Sequence, residues 1–159
     1  MSEEDDYGLS PDKEKKTIEP PPVDYLPKKP KSYSPKIGLV GTGGISEFHL
    51  KNYLACGFEV SAITNRTRSK AEAKRDEFYP EAVVCENHRE LLDMEDVDVV
   101  DVTPHPADRL PILRDALEAG KDVLRQTAFV VDVAEVAKLV YLAEEKGRRI
   151  AVNQLGRWG

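Results

Sequence analysis

The run Ile37-Gly38-Leu39-Val40-Gly41-Thr42-Gly43-Gly44-Ile45-Ser46 constrains this chain more than any other feature. A short apolar stretch leads straight into glycines, and the residues after them read as a helix from about Gly44 to Cys56, with Gly57 placed to end it. A strand, a glycine turn and a helix start in that order suit one kind of ligand. Gly41 permits a tight turn, and Gly43 lets backbone approach a pyrophosphate with no Cβ in the way. The helix start then offers unbonded N–H groups and the positive end of its dipole. Ser46 stands where a small residue allows close packing of helix on strand.

The pattern beyond the turn decides the fold class. Strand signals at 58–63, 82–84, 97–102, 122–124 and 149–152 alternate with helical stretches. Thr67 or Ser69 can cap the second helix, and Pro80 breaks it. Leu110, Leu113 and Leu117 mark one face of a later helix that ends near Gly120. Asp132 followed by Glu135 resembles a capping box, and Gly147 closes the last helix. Strands separated by helices throughout require right-handed crossovers and a parallel sheet covered on both faces. The expected fold is therefore α/β, a Rossmann doubly wound parallel sheet of about six strands, over residues 36–159.

Residues 1–35 differ in texture. Seven of the 11 prolines fall there, among interleaved Lys, Asp and Glu. So little apolar surface cannot offset the entropy of ordering, and a disordered or polyproline-like tail is expected. The net charge of −6 argues against nucleic acid as a partner bound by general electrostatic attraction. No stretch has the ~18 apolar residues of a membrane span, and the acidic start lacks the features of a signal peptide. Cys56 and Cys85 have no metal-ligand spacing and imply no disulfide framework. A cytoplasmic location is the default.

The end of the second strand is where an adenine ribose would meet the chain. An acid there would accept from a 2′-hydroxyl and repel a 2′-phosphate. The sequence instead has Thr64-Asn65-Arg66-Thr67-Arg68, which fits NADP, or tolerance of both cofactors. Arg66 can equally stack on adenine or stand in solvent.

These residues resemble a known series. From Lys36 to Trp158 the chain is similar to the N-terminal half of the Gfo/Idh/MocA family (glucose–fructose oxidoreductase, inositol dehydrogenase, rhizopine catabolism). The likeness rests on residues 37–46 with His49 beyond, on Asn65-Arg66-Thr67, on residues 98–103, on residues 116–124 and on Ala151-Val152-Asn153-Gln154. It implies NAD(P)-dependent oxidation or reduction of a sugar, cyclitol or related hydroxyl compound. It also implies that Gly41, Thr42, Gly43, Gly44, Ile45 and Ser46 hold the pyrophosphate, and that Asn65 and Arg66 hold the adenosine end. Thr103 and His105 would lie near the nicotinamide half, with Gln126 on its ribose.

Two departures from the family pattern bear on activity. The family follows its fifth strand with Glu or Gln, then Lys, then Pro. Here those positions are Gln126, Thr127 and Ala128. Threonine carries no charge and is too weak an acid to replace an ammonium group. The chain also ends at Trp158-Gly159, where the family's chain crosses into its second, substrate-binding domain. No catalytic residue and no metal ligand is therefore assigned, and little or no turnover is expected of this chain alone. A non-catalytic nucleotide-binding module is the alternative, and an interaction protein working through its proline-rich tail is a third reading.

Among the histidines, His49 is expected to pack or bond locally on the first helix, His88 to be exposed, and His105 to border the ligand crevice. Asp98 and Asp101 read as capping or strand-end residues. Trp158 and the C-terminal edge offer an apolar patch for self-association or a partner protein.

Overall fold

The computed structural model describes residues 32–127 and 132–154. The expectations for the tail and for Ala128 and Trp158 fall on residues outside these.

The elements follow one another as β1 (Lys36–Val40), α1 (Gly44–Cys56), β2 (Glu59–Thr64), α2 (Arg68–Phe78), β3 (Val83–Cys85), α3 (His88–Leu92), β4 (Val99–Val102), α4 (Pro106–Glu118), β5 (Asp122–Gln126), α5 (Val133–Lys146) and β6 (Ile150–Asn153). The six strands form one sheet in the order β3-β2-β1-β4-β5-β6, and every neighbouring pair is parallel. This is the expected doubly wound Rossmann fold. The strand order reverses between β1 and β4, so the C-terminal ends of these two strands border a crevice.

Each face of the sheet carries its own apolar cluster. Ile37, Leu39, Val60 and Ile63 pack with Leu50 of α1 and Ala71 of α2. Val40, Ala62, Val100, Val102 and Val123 pack with Leu91 of α3, Leu113 and Leu117 of α4, and Leu139 of α5. Val60 and Ile63 share a face although three residues apart. The β1–β2 register skips one residue, Ile37 pairing with Val60 and Gly38 with Ala62, and this bulge at Ser61 resets the alternation. Leu113 has 0% exposure in the centre of the larger cluster. Truncating it to alanine is expected to cost about 2–5 kcal/mol, read as a lowered midpoint in urea unfolding with an unchanged slope.

The element boundaries shift by one or two residues from the expected ones, with two-residue shifts at the start of β4 and the end of β5. That strand continues through Arg125 and Gln126, which pair with Val102 of β4 and with Val152 and Asn153 of β6. Pairing on both sides holds Arg125 in the strand, and pairing with β6 holds Gln126. Asp132 caps α5 by accepting from the Ala134 amide at 2.8 Å. Glu135 does not complete a capping box: it pairs with Arg114 and Lys138. Asn87, not anticipated as a cap, accepts from the Arg89 and Glu90 amides at the start of α3.

Candidate functional site

A groove of about 1070 Å³ opens at the C-terminal ends of the strands. It runs from the glycine turn after β1, past the end of β2 and the start of α3, to the β4–α4 turn and the end of β5. A second cavity of about 630 Å³ lies at the opposite ends of β4, β5 and β6. Its charged lining is spent internally, for example in the Arg149–Asp122 ion pair.

The glycine turn is built residue by residue. Gly41 has φ of 94°, a left-handed conformation that side chains disfavour, and its amide donates to the Thr64 carbonyl at 2.8 Å. The Thr103 hydroxyl lies 3.0 Å from the carbonyl oxygens of both Val40 and Gly41 and shares its hydrogen between them. The Thr42 amide donates to Asn65 Oδ1 at 3.2 Å, and Asn65 Nδ2 donates to the Thr67 carbonyl at 3.0 Å. Asn65 thus ties the turn to the end of β2. Ser46 does not line the groove. It is fully buried below it, and its hydroxyl donates to the Gly43 carbonyl at 2.6 Å.

The other ten predicted site residues, namely Gly41, Thr42, Gly43, Gly44, Ile45, Asn65, Arg66, Thr103, His105 and Gln126, all line this one groove. Three features of the turn fit an anionic ligand. Gly43 caps α1 with no side chain, so the Gly44 and Ile45 amides have no acceptor among the described residues. A Cβ built on Gly43 or Gly44 would meet nothing within 4 Å, so the space above them is open. The Thr42 hydroxyl is buried with no hydrogen-bond partner. Together they make a cradle of N–H donors at the positive end of a 13-residue helix, the arrangement that suits a pyrophosphate.

At the far end, Arg66 and Lys70 are exposed and face the groove, together with half-buried His88. His88 is not simply exposed as expected, since its Nε2 meets Asp115 at 2.8 Å. The β3–α3 loop adds one acid to the lining, Glu86. His105 is exposed at the start of α4, and Thr127 is exposed at the end of β5.

Sequence reasoning missed the residues that hold this end together. Arg109 of α4 is buried, and burial pulls its pKa down from the usual guanidinium value. It donates to the Pro104 carbonyl and, at 2.7 Å, to the Gln126 carbonyl, clamping the β4–α4 turn to β5. His49 packs locally, edge-on to the Tyr53 ring, but the hydrogen bonds of its ring reach across the sheet. Its Nδ1 lies 2.6 Å from Asp101 Oδ2, and its Nε2 lies 2.7 Å from Gln126 Nε2 and 3.1 Å from Asn153 Nδ2. Asp101 is no capping residue: it has 0% exposure and also accepts from the Tyr53 hydroxyl at 2.8 Å. One signal could have found the pair. An acid inside a strand read as buried on both faces needs a partner, because an unpaired buried charge is very costly.

Residues 35–154 match the family described as oxidoreductase family, NAD-binding Rossmann fold. Inositol 2-dehydrogenase of Gluconacetobacter diazotrophicus is 28% identical over 116 residues, 72% of this chain and 34% of that protein. The dTDP-3,4-didehydro-2,6-dideoxy-alpha-D-glucose 3-reductase of Streptomyces violaceoruber is 32% identical over 121 residues, 73% of this chain and 35% of that one. Among solved structures, a 3-ketoreductase from Actinomadura kijaniata in complex with TDP-benzene and NADP superposes with a TM-score of 0.69 at 29% identity, covering 76% of this chain and 38% of that one. The chain spans about a third of the length of the curated relatives it matches. It belongs to the Gfo/Idh/MocA oxidoreductase family, whose NAD-binding Rossmann fold it carries.

Proposed function

We propose that the groove binds NADP in preference to NAD, as the cofactor domain of an oxidoreductase acting on a sugar, cyclitol or related hydroxyl compound. The observation that carries the reading is the cradle at Gly43 and Gly44, where open space, unbonded amides and a helix N-terminus coincide. The pyrophosphate would lie on residues 41–45, with Ser46 supporting the turn from below. Arg66 and Lys70 would face the adenosine end, Thr103 and His105 the nicotinamide half, and Gln126 its ribose. When bound, the nicotinamide supplies or takes up the hydride. The relatives support the substrate class: one is named for inositol, another for a dideoxy sugar nucleotide.

The preference for NADP follows from charge. The end of β2 offers Asn65 and Arg66 where an acid would repel a 2′-phosphate, and Lys70 adds a second cation to a lining whose acids are Glu86 and Asp108. Arg66→Ala is expected to weaken NADPH about 10-fold, the scale of one lost charge-assisted hydrogen bond, and to change NADH by less than about twofold. Parallel fluorescence titrations of the two reduced cofactors check this. Equal losses for both would remove the argument for a phosphate contact.

Thr127 favours a second reading, a nucleotide-binding module without catalysis. It faces the groove at the position that carries lysine in the family, and it cannot hold or deliver a proton as an ammonium group does. Both readings predict saturable cofactor binding by this chain with little or no turnover. Steady oxidation or reduction of a polyol or sugar by the purified chain would contradict both.

A further inference from the structure

Beneath the β5 end of the groove, five side chains from four elements form one buried polar chain. His49 and Tyr53 come from α1, Asp101 from β4, Gln126 from β5 and Asn153 from β6. Their chemistry fixes where the protons lie. Asp101 accepts from the Tyr53 hydroxyl and from His49 Nδ1, so Nδ1 carries a hydrogen. The two groups that meet Nε2 are both amide nitrogens, those of Gln126 and Asn153. An amide NH₂ only donates, so two donors converge on a nitrogen that must be bare. In this arrangement His49 is the neutral Nδ1–H tautomer, selected by Asp101 on its other side.

The consequence falls on Gln126. Its NH₂ end is committed to His49, and its oxygen is the end left for the groove. Among the described residues nothing donates to that oxygen, and it is not one of the sealed, unpartnered atoms of the interior. An amide held this way presents an acceptor, suited to a hydroxyl. Turned over, it would present a donor.

We propose that the Asp101–His49 pair is a positioning device that sets which end of the Gln126 amide faces the groove, making this end of the site an acceptor for a ligand hydroxyl. The proposal rests on the dinucleotide reading for the identity of that ligand, a ribose. The groups facing His49 are Asp101 from β4 and Tyr53 from its own helix; β5 and β6 contribute only the neutral amides.

The test has two arms, both on the full chain. Nitrogen-15 spectra of the histidine rings at neutral pH are expected to show His49 with a protonated Nδ1 and a bare Nε2. They should also show a hydrogen-bonded side-chain amide proton on Gln126. A protonated Nε2 overturns the proposal without any substitution. The second arm titrates NADPH, and ADP as the adenosine-end fragment, into wild type, His49→Phe, Gln126→Ala and the double variant. His49→Phe is expected to weaken NADPH about 10-fold, leave ADP within about twofold, and add nothing in the Gln126→Ala background. Equal weakening of NADPH and ADP, or additive losses in the double variant, would mean that His49 merely supports the fold. If wild type takes no dinucleotide at all, the cofactor reading fails, and the ring and amide spectra still decide whether His49 holds Gln126.

Discussion

Gly43→Val is expected to weaken NADH and NADPH binding at least ~100-fold, about 2.7 kcal/mol, while the protein unfolds within a few degrees of wild type. The two halves of this result have separate causes. Gly43 sits at φ −74°, an ordinary conformation for any residue, and a Cβ there meets no atom within 4 Å. Valine is a poorer helix cap than glycine, which costs roughly 0.5–1 kcal/mol. Nothing in the fold is displaced. The two γ-methyl groups instead fill the open space from which a pyrophosphate would reach the Gly44 and Ile45 amides. Fluorescence titration beside a thermal melt checks both halves. Undiminished affinity in a folded Gly43→Val protein would sink the proposed ligand position.

Two residues earlier, the same substitution logic gives the opposite outcome. Gly41→Ala is expected to destabilise the protein by about 2–5 kcal/mol, from a left-handed backbone costing about 1–2 and overpacking costing about 1–3. The φ of 94° is one cause. The other is contact, since a Cβ on Gly41 would lie 2.7 Å from Thr103 Oγ1 and 3.0 Å from Pro104 Cδ. Thr103 cannot simply move away, because its hydroxyl holds the Val40 and Gly41 carbonyls. A melting temperature lowered by roughly 10 °C is expected. Adding Thr103→Ala should recover part of the loss, because it removes the nearer clash and leaves the contact with Pro104 and the strained backbone. Two strictly additive losses in the double variant would show that the contact with Thr103 is not what limits Gly41. Of the three glycines in this turn, Gly41 thus serves the fold, and Gly43 is the one proposed to serve the ligand.

Much of the site was legible because it is local. The strand, turn and helix from Ile37 to Cys56 carry their own signals, and so do the helix ends at Gly57 and Gly147, which both adopt the left-handed conformation. The groove lining was legible for a related reason. In a parallel doubly wound sheet, the residues just after each strand gather at one end, so locating the strands locates the lining. His105 follows from that rule, and Thr103 and Gln126 from the resemblance to the family pattern; all three line the groove. Ser46 is the exception: it is buried, bonds within the turn and does not line the groove.

The pairings across the sheet were not legible. His49 and Asp101 are 52 residues apart, and His49 and Asn153 are 104 apart. No periodicity links them, and each alone reads as a helix-face histidine or a strand-end residue. The same holds for Arg109, whose guanidinium reaches the Gln126 carbonyl 17 residues on. Such contacts form only when α1 lies against β4 and α4 against β5, and burial then forces every polar group to find a partner.

The sequence by itself determined the alternation of strands and helices, the glycine turn and the absence of an acid after the second strand, because each depends on residues close together in the chain. The tertiary structure decided the rest. It separated the roles of Gly41 and Gly43, drew Arg125 and Gln126 into the fifth strand, and set a buried histidine behind the groove. Those outcomes depend on which side chains meet across a 4-element junction, and only the packed sheet brings them within hydrogen-bond distance.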